Sequence, residues 1–343
     1  MGPQLSAAEK DRYARHLILP DVGENGQLKL KQAKVIVIGA GGLGSPVLQY
    51  LAAAGVGTIG IVDPDRVSSS NLQRQVLYGQ KDLGRPKVRA AKDRLLDLNP
   101  LITIHCYETS FRKENAFELL KGYDLLIDGT DNFPTRYLVN DACVLAGIPY
   151  IYGSIFRFEG QVSVFNALQE DTTSRGPNYR DLYPTPPAPG QVPNCAEGGV
   201  LGVLAGIIGS IQANEAIKLI CGIGELLDGR MLLFDAASFS KRILRFSPNP
   251  STNITQLIDY ELFCGMPSSE GVPSLDVNAF LQMKTRGEKY FLLDVREEKE
   301  YQIHHINGYL LPLSTLESRW KELPANQLII VHCQSGKRSA QAV

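Results

Sequence analysis

The sequence predicts an α/β protein: a mainly parallel sheet with an antiparallel extension, followed by a second, smaller α/β unit. Three observations carry that expectation. Short apolar runs alternate with helical patterns from Lys34 onward, glycines close the first apolar run, and a stretch rich in proline, serine and glycine interrupts the chain before the alternation restarts. Alternating strands and helices form a parallel sheet covered on both faces.

The elements follow in order. Residues 35–38 form an apolar strand ending in glycines, and residues 45–54 read as the helix after it. Residues 58–62, 102–107, 124–127 and 149–154 read as further strands, with helical patterns between them. Beyond about Glu159 the pattern changes. Residues 161–165, 231–234 and 242–246 are strand-like without an alternating helix for each, which predicts the antiparallel extension. A proline-rich loop, 183–193, and an apolar helix within 200–220 lie among them. That helix is too interrupted for a membrane span: its unbroken apolar part ends by Ile211, and Gln212, Asn214, Glu215 and Lys218 follow. A buried or dimer-interface helix is the expectation. Pro248, Pro250 and Pro267 and the stretch 268–273 mark a linker. Past it, 276–283 reads as helix, and 290–295 and 328–331 read as strands. The expected division is a first domain at 1–262, a linker at 263–272 and a second domain at 273–343.

Bulk properties agree with this plan. A chain of 343 residues suits about two domains. Hydrophobic residues at 44% and charged residues at 21% exclude a disordered chain. Thirty-five basic against 36 acidic residues leave a net charge of −1, which offers no electrostatic footprint for nucleic acid or a membrane surface. The first fifteen residues lack the apolar core of a signal peptide. Six scattered cysteines without any Cys-x-x-Cys pair predict reduced thiols and a cytoplasmic protein.

The first motif is V-I-V-I-G-A-G-G-L-G, with Gly39, Gly41, Gly42 and Gly44 leading into a helix. Such glycines let backbone amides approach a phosphate, and the helix start attracts an anion. Asp63, at the end of the next strand, is placed to hold a ribose hydroxyl. An NAD site fits these residues equally well. Further motifs separate the readings: S-N-L-Q-R-Q (Ser70, Asn71, Leu72, Gln73, Arg74, Gln75), G-R-P-K ending in Lys87, and D-G-T-D-N ending in Asp131 and Asn132. Two cations and a carboxylate suit a triphosphate with Mg²⁺ better than a dinucleotide that needs no metal.

Together with R-Y-A-R at residues 12–15, these motifs resemble the MoeB/ThiF/E1 adenylyltransferase family, whose sheet is Rossmann-like. With the second unit included, the chain resembles the family's fused adenylyltransferase–sulfurtransferases of the MoeBR type, over about residues 8–343. The resemblance implies ATP contacts at Gly42 and Asp63, phosphate contacts at Asn71, Arg74 and Lys87, and Mg²⁺ at Asp131. It implies a homodimer in which Arg15 reaches the neighbouring subunit's site. The implied substrate is a ubiquitin-like sulfur-carrier protein with a C-terminal Gly-Gly, whose carboxylate attacks the α-phosphate and releases pyrophosphate. Many relatives hold a structural zinc with two Cys-x-x-Cys pairs. Here the matching segments are N-Y-R-D at 178–181 and T-N-I-T at 252–255, poor ligands, so no zinc is expected.

Two cysteines stand out. Cys195, in P-N-C-A-E-G-G, matches the family's candidate for attack on the adenylate. Cys333 ends the strand I-I-V-H and begins C-Q-S-G-K-R-S. A short loop before a helix start aims amides at the sulfur, and Lys337 and Arg338 are expected to add positive charge that favours a thiolate or persulfide. The segment resembles a rhodanese active-site loop, and L-D-V-R-E at 293–297 with H-I-N-G at 305–308 resembles earlier signatures of that fold. The implied sulfur donor is thiosulfate or a cysteine desulfurase. The rhodanese-like unit is expected to be incomplete after Val343. Two rival readings remain open at this level: an NAD-dependent oxidoreductase, which leaves Arg74, Lys87 and Cys333 idle, and a non-catalytic carrier-binding scaffold.

Overall fold

The computed structural model describes residues 4–169, 173–187, 198–265, 273–334 and 336–343, without the side chain of Lys337. It divides into two compact units, Met1–Cys264 and Gly265–Val343. Most of the expected linker lies outside the described residues.

The first unit is built on an eight-stranded sheet in the order β3-β2-β1-β4-β5-β6-β7-β8. The strands are β1 (Lys34–Ile38), β2 (Thr58–Val62), β3 (Thr103–Tyr107), β4 (Leu125–Asp128), β5 (Tyr150–Phe156), β6 (Glu159–Phe165), β7 (Arg230–Asp235) and β8 (Ser240–Arg245). The first five pair in parallel. From β5 onward the pairing is antiparallel, the predicted extension. Strand β1 is an unbroken apolar run because both its faces are covered. Val35 and Val37 enter one core with the helices Gly44–Ala54, Lys87–Leu98 and Gly202–Cys221. Ile36 and Ile38 enter the opposite core with Ala116–Leu120 and Phe133–Ala146.

Strand β1 lies between β2 and β4, so the chain leaves β1 and β4 toward opposite ends of the sheet. That switch point opens a crevice at the strands' C-terminal ends. Helix Gly44–Ala54 stops at Gly55, whose φ of 83° provides the left-handed cap that terminates helices.

Helix Gly202–Cys221 is long and apolar enough to cross a membrane. Its contacts make it a core helix instead. Gly209 rests on the Leu43 carbonyl and Pro46, Ile208 presses on Gly160, and Gln212 lies on Gly153 and donates to the Asp128 carbonyl at 2.7 Å.

The second unit is a parallel three-stranded sheet, β10-β9-β11, with β9 at Phe291–Asp294, β10 at Tyr309–Leu310 and β11 at Ile329–His332. Its buried core is small: Leu293, Val295, Leu311 and Leu316. The sequence reading anticipated β9 and β11 but not β10, nor the helices Glu298–Ile303 and Leu313–Arg319. It also missed the N-terminal helices, although Ser6 and Glu9 form a capping box over the first of them, Ala7–Arg12.

Candidate nucleotide and sulfur sites

The glycine loop follows β1 directly. Gly39 has a φ of 91° and donates its amide to the Val62 carbonyl at 2.8 Å, which ties the loop to β2. A Cβ at Gly44 would collide with the Gly39 carbonyl, so a side chain there would break the turn. Tyr78 donates its hydroxyl to the Ala40 carbonyl at 2.8 Å. Burial, then the nearby Asp63, pushes that phenol's pKa up, so it stays protonated and donating.

Asp63 is buried, and its Oδ2 accepts from the Ala40 amide at 2.8 Å while Oδ1 accepts from the Asp65 amide at 2.8 Å. Burial lifts its carboxyl above the ordinary value, against the opposing pull of Lys87. Lys87, only 4% exposed, donates to Asp65 Oδ2 at 2.8 Å and lies 3.8 Å from Asp63 Oδ2. The expected phosphate lysine is therefore held ready by two carboxylates, and the sequence reading had missed Asp65.

The S-N-L-Q-R-Q segment packs over the same loop. Arg74 lays its stem along Gly42 and donates to the Ser70 carbonyl at 3.2 Å. The Gln75 amide group faces Gly41, with its buried Oε1 unpartnered among the described residues. Asn71 accepts from the Ser68 amide at 3.1 Å, and Ser70 contacts the Ser68 hydroxyl at 3.1 Å. Leu72 packs against the core, and Gln73 abuts Gly202. Leu72 and Gln73 thus anchor the segment, while Arg74 carries its charge.

The loop after β4 completes the crevice. Gly129 presses on the carbonyls of Ile38 and Gly39. Asp128 is fully buried; Oδ1 accepts from the Thr130 amide and hydroxyl at 2.9 and 2.7 Å, while Oδ2 has no partner among the described residues. Burial raises its pKa. Asp131 is exposed, and Asn132 caps helix Phe133–Ala146 by accepting from the Thr135 amide at 3.0 Å. One turn into that helix Arg136, 8% exposed, lies against the rings of Phe133 and Tyr152, its Nε without a hydrogen-bond partner among the described residues. Orphaned buried polar atoms of Gln75, Asp128, Arg136 and Gln212 mark sites that a polar ligand or water would satisfy. Only the assembled sheet brings them to notice.

Arg15 is exposed in helix Ala14–Leu17. Its neighbour Tyr13 presses on Gly55, at the far end of the 11-residue helix that starts in the glycine loop. Such a helix spans about 16 Å. Cys195 lies outside the described residues. In the first of the segments matched to relatives' zinc pairs, Asn178 caps the turn Tyr179–Leu182, and Asp181 Oδ1 accepts from the Asn249 amide at 3.1 Å.

In the second unit, Cys333 is half-buried beyond β11. Its Sγ accepts from the amides of Gly336 at 3.2 Å and Ser339 at 3.4 Å, and contacts Ser339 Oγ at 3.6 Å. Backbone amides do aim at the sulfur. The expected charge of Arg338 is corrected: its guanidinium grips Glu300 bidentately at 2.6 and 2.7 Å, so an acidic partner offsets it. Lys337's side chain is outside the described residues. Behind the loop, fully buried Asp294 accepts from Arg296 Nε at 2.9 Å and Nη2 at 2.6 Å, and Arg296 also donates to the His304 carbonyl at 2.9 Å.

A doubly covered sheet with a glycine loop, and with Arg74 and Lys87 beside it at the switch point, has the form of a nucleotide-binding unit, and the second unit presents a cradled thiol. Comparison with known proteins agrees. The ThiF family model matches residues 13–255, and the rhodanese-like domain model matches 276–343. The chain is 51% identical to a probable adenylyltransferase/sulfurtransferase MoeZ of Mycobacterium tuberculosis, over 99% of this chain and 88% of that one. It is 52% identical to a sulfur carrier protein adenylyltransferase of Thermus thermophilus, over 75% and 97%. The fold is similar to that of MccB of E. coli solved with ATP, with a TM-score of 0.61 at 22% identity, over 71% of this chain and 74% of that one. The chain belongs to the ThiF family, in the branch of adenylyltransferase/sulfurtransferases that carry a rhodanese-like domain.

Proposed function

We propose that this enzyme uses ATP to adenylylate the C-terminal glycine of a ubiquitin-like sulfur-carrier protein, then converts the carrier to a thiocarboxylate with sulfur carried as a persulfide on Cys333. The observation that carries the reading is the pairing, in one chain, of the Gly39–Lys87–Arg74 crevice with the cradled Cys333 sulfur. An NAD-dependent oxidoreductase would leave Arg74, Lys87 and Cys333 without work.

The amides of Gly41 and Gly42, with Arg74 and Lys87, hold the phosphates, and Asp63 orients the ribose. Asp131, an exposed carboxylate beside the crevice, is a hard oxygen ligand that fits Mg²⁺ completed by phosphate oxygens. When bound, that ion neutralises the leaving pyrophosphate. Attack by the carrier's carboxylate oxygen forms the bond to the α-phosphorus and expels pyrophosphate. Positioning and charge stabilisation supply most of the acceleration. The persulfide's terminal sulfur then takes the adenylate's acyl carbon, and AMP leaves. An external thiol attacks Cys333 Sγ, breaking the S–S bond of the resulting acyl disulfide and freeing the carrier thiocarboxylate, while Cys195 is proposed as an alternative nucleophile on the adenylate, forming a thioester as AMP leaves.

Tyr13, two residues before Arg15, rests on Gly55 at the end of helix Gly44–Ala54 away from the glycine loop, which supports a homodimer with shared sites. Thiosulfate or a cysteine desulfurase supplies the sulfur, in cytoplasmic synthesis of the molybdenum cofactor or a related sulfur metabolite. Carrier-dependent ATP–pyrophosphate exchange tests the first half. Arg74→Ala and Asp131→Ala should each abolish it in folded protein, and Arg15→Ala mixed with Lys87→Ala subunits should restore part of it. Near-normal exchange in either single variant would sink the assigned site.

A further inference from the structure

We infer that Ser339 is a positioning residue for Cys333, whose hydroxyl turns from acceptor to donor when the thiol ionises. The inference deepens the sulfurtransferase reading and rests on it. Ser339 Oγ lies 3.6 Å from Cys333 Sγ and 2.9 Å from the Gly336 carbonyl. With Cys333 protonated, the thiol donates to Ser339 Oγ and the hydroxyl donates to Gly336. When the S–H bond breaks and its proton passes to water, Sγ becomes an acceptor only. A hydroxyl has one hydrogen and two lone pairs, so the same group can rotate and donate to the sulfur. The Gly336 and Ser339 amides already point there, at 3.2 and 3.4 Å, and the hydroxyl adds a movable donor to these fixed ones.

Among the described residues, Arg338 and Arg296 near the loop are each paired with a carboxylate, and burial holds His332 toward its neutral form, so a neutral donor to the sulfur carries weight. On the loop's own helix, Arg338 is paired with Glu300 of helix Glu298–Ile303. On β11, His332 Nε2 lies 3.5 Å from Asp294 Oδ2, and β9's Asp294 is itself held by Arg296. Hydrogen bonds to the charged form of a group favour that form.

The test follows the pH dependence of Cys333 alkylation by iodoacetamide in the full chain, read by mass spectrometry of the Cys333 peptide. Only the thiolate reacts. In Ser339→Ala the midpoint should rise by about one pH unit, a roughly tenfold loss of reactive thiolate at neutral pH. Ser339→Thr, which keeps the hydroxyl, should follow the parent. A superimposable profile for Ser339→Ala overturns the inference, as does a Ser339→Thr profile shifted like that of alanine. Should melting at Trp320 find the alanine variant unfolded, the threonine variant decides alone. The assay needs neither ATP nor carrier, so its outcome is separable from that of the proposed reaction.

Discussion

The carboxylate of Asp294 in the second unit accepts four hydrogen bonds from one residue, Arg296, with Nε shared between both oxygens. Burial alone would raise its pKa, but these bonds overcome burial and hold the carboxyl below the usual range. Glu300 is lowered too, chiefly by Arg338. A carboxylate with a depressed folded-state pKa contributes stability that is present above its unfolded value, about 4, and is lost as pH falls through the folded value. Trp320, the chain's single tryptophan, reports on this unit. Its urea-unfolding midpoint should begin to fall below about pH 6.5, where half-buried His332 resists the proton the unfolded chain accepts, and drop further below about 4. Asp294→Asn should cost roughly 3 kcal/mol at neutral pH by leaving Arg296 buried without its anion. A Trp320 transition indifferent to both changes would contradict this account. Much of the nucleotide crevice was legible from residue types: glycines where a side chain would strike backbone, and cations in order along the chain. Arg136 and Gln212 were not, because their significance lies in burial and missing partners, and Asp65 was not, because its role lies in a contact with Lys87, 22 residues away; no local pattern records either.

At the scale of elements, the turn Tyr179–Leu182 acts as a clip. Arg180 chelates Asp141 of helix Phe133–Ala146 at 2.7 and 2.8 Å and lies against the rings of Tyr137 and Phe263. Tyr260 donates to the same carboxylate at 2.8 Å, and Asp181 holds the Asn249 amide. Residues 249–264 are thereby fastened to the rest of the first unit by hydrogen bonds. Arg180→Met should lower that unit's stability by about 3 kcal/mol, because Asp141 loses its buried counter-ion. Chelator treatment should leave the parent's melting temperature unchanged; a fall after chelation would mean that a metal shares the load. The central strands were readable because each is a continuous apolar run covered on both faces. Strand β10 spans two residues, too few for any period, and the N-terminal helices are short and mostly polar.

Over the whole molecule, two chemistries reside in two compact units. The first carries large cores on both faces of its sheet, while the second has, among the described residues, four buried apolar side chains reinforced by ion pairs. Activation of a carboxylate and delivery of sulfur are thus separable by substitution. The most direct test is the intact mass of a Gly-Gly carrier incubated with the protein, ATP, Mg²⁺ and thiosulfate. The parent should replace one carrier oxygen with sulfur. Cys333→Ala should retain pyrophosphate exchange yet leave the carrier's mass unchanged until free sulfide is added, since the adenylate then needs only a nucleophile. Full-rate sulfur incorporation from thiosulfate by Cys333→Ala would contradict the account.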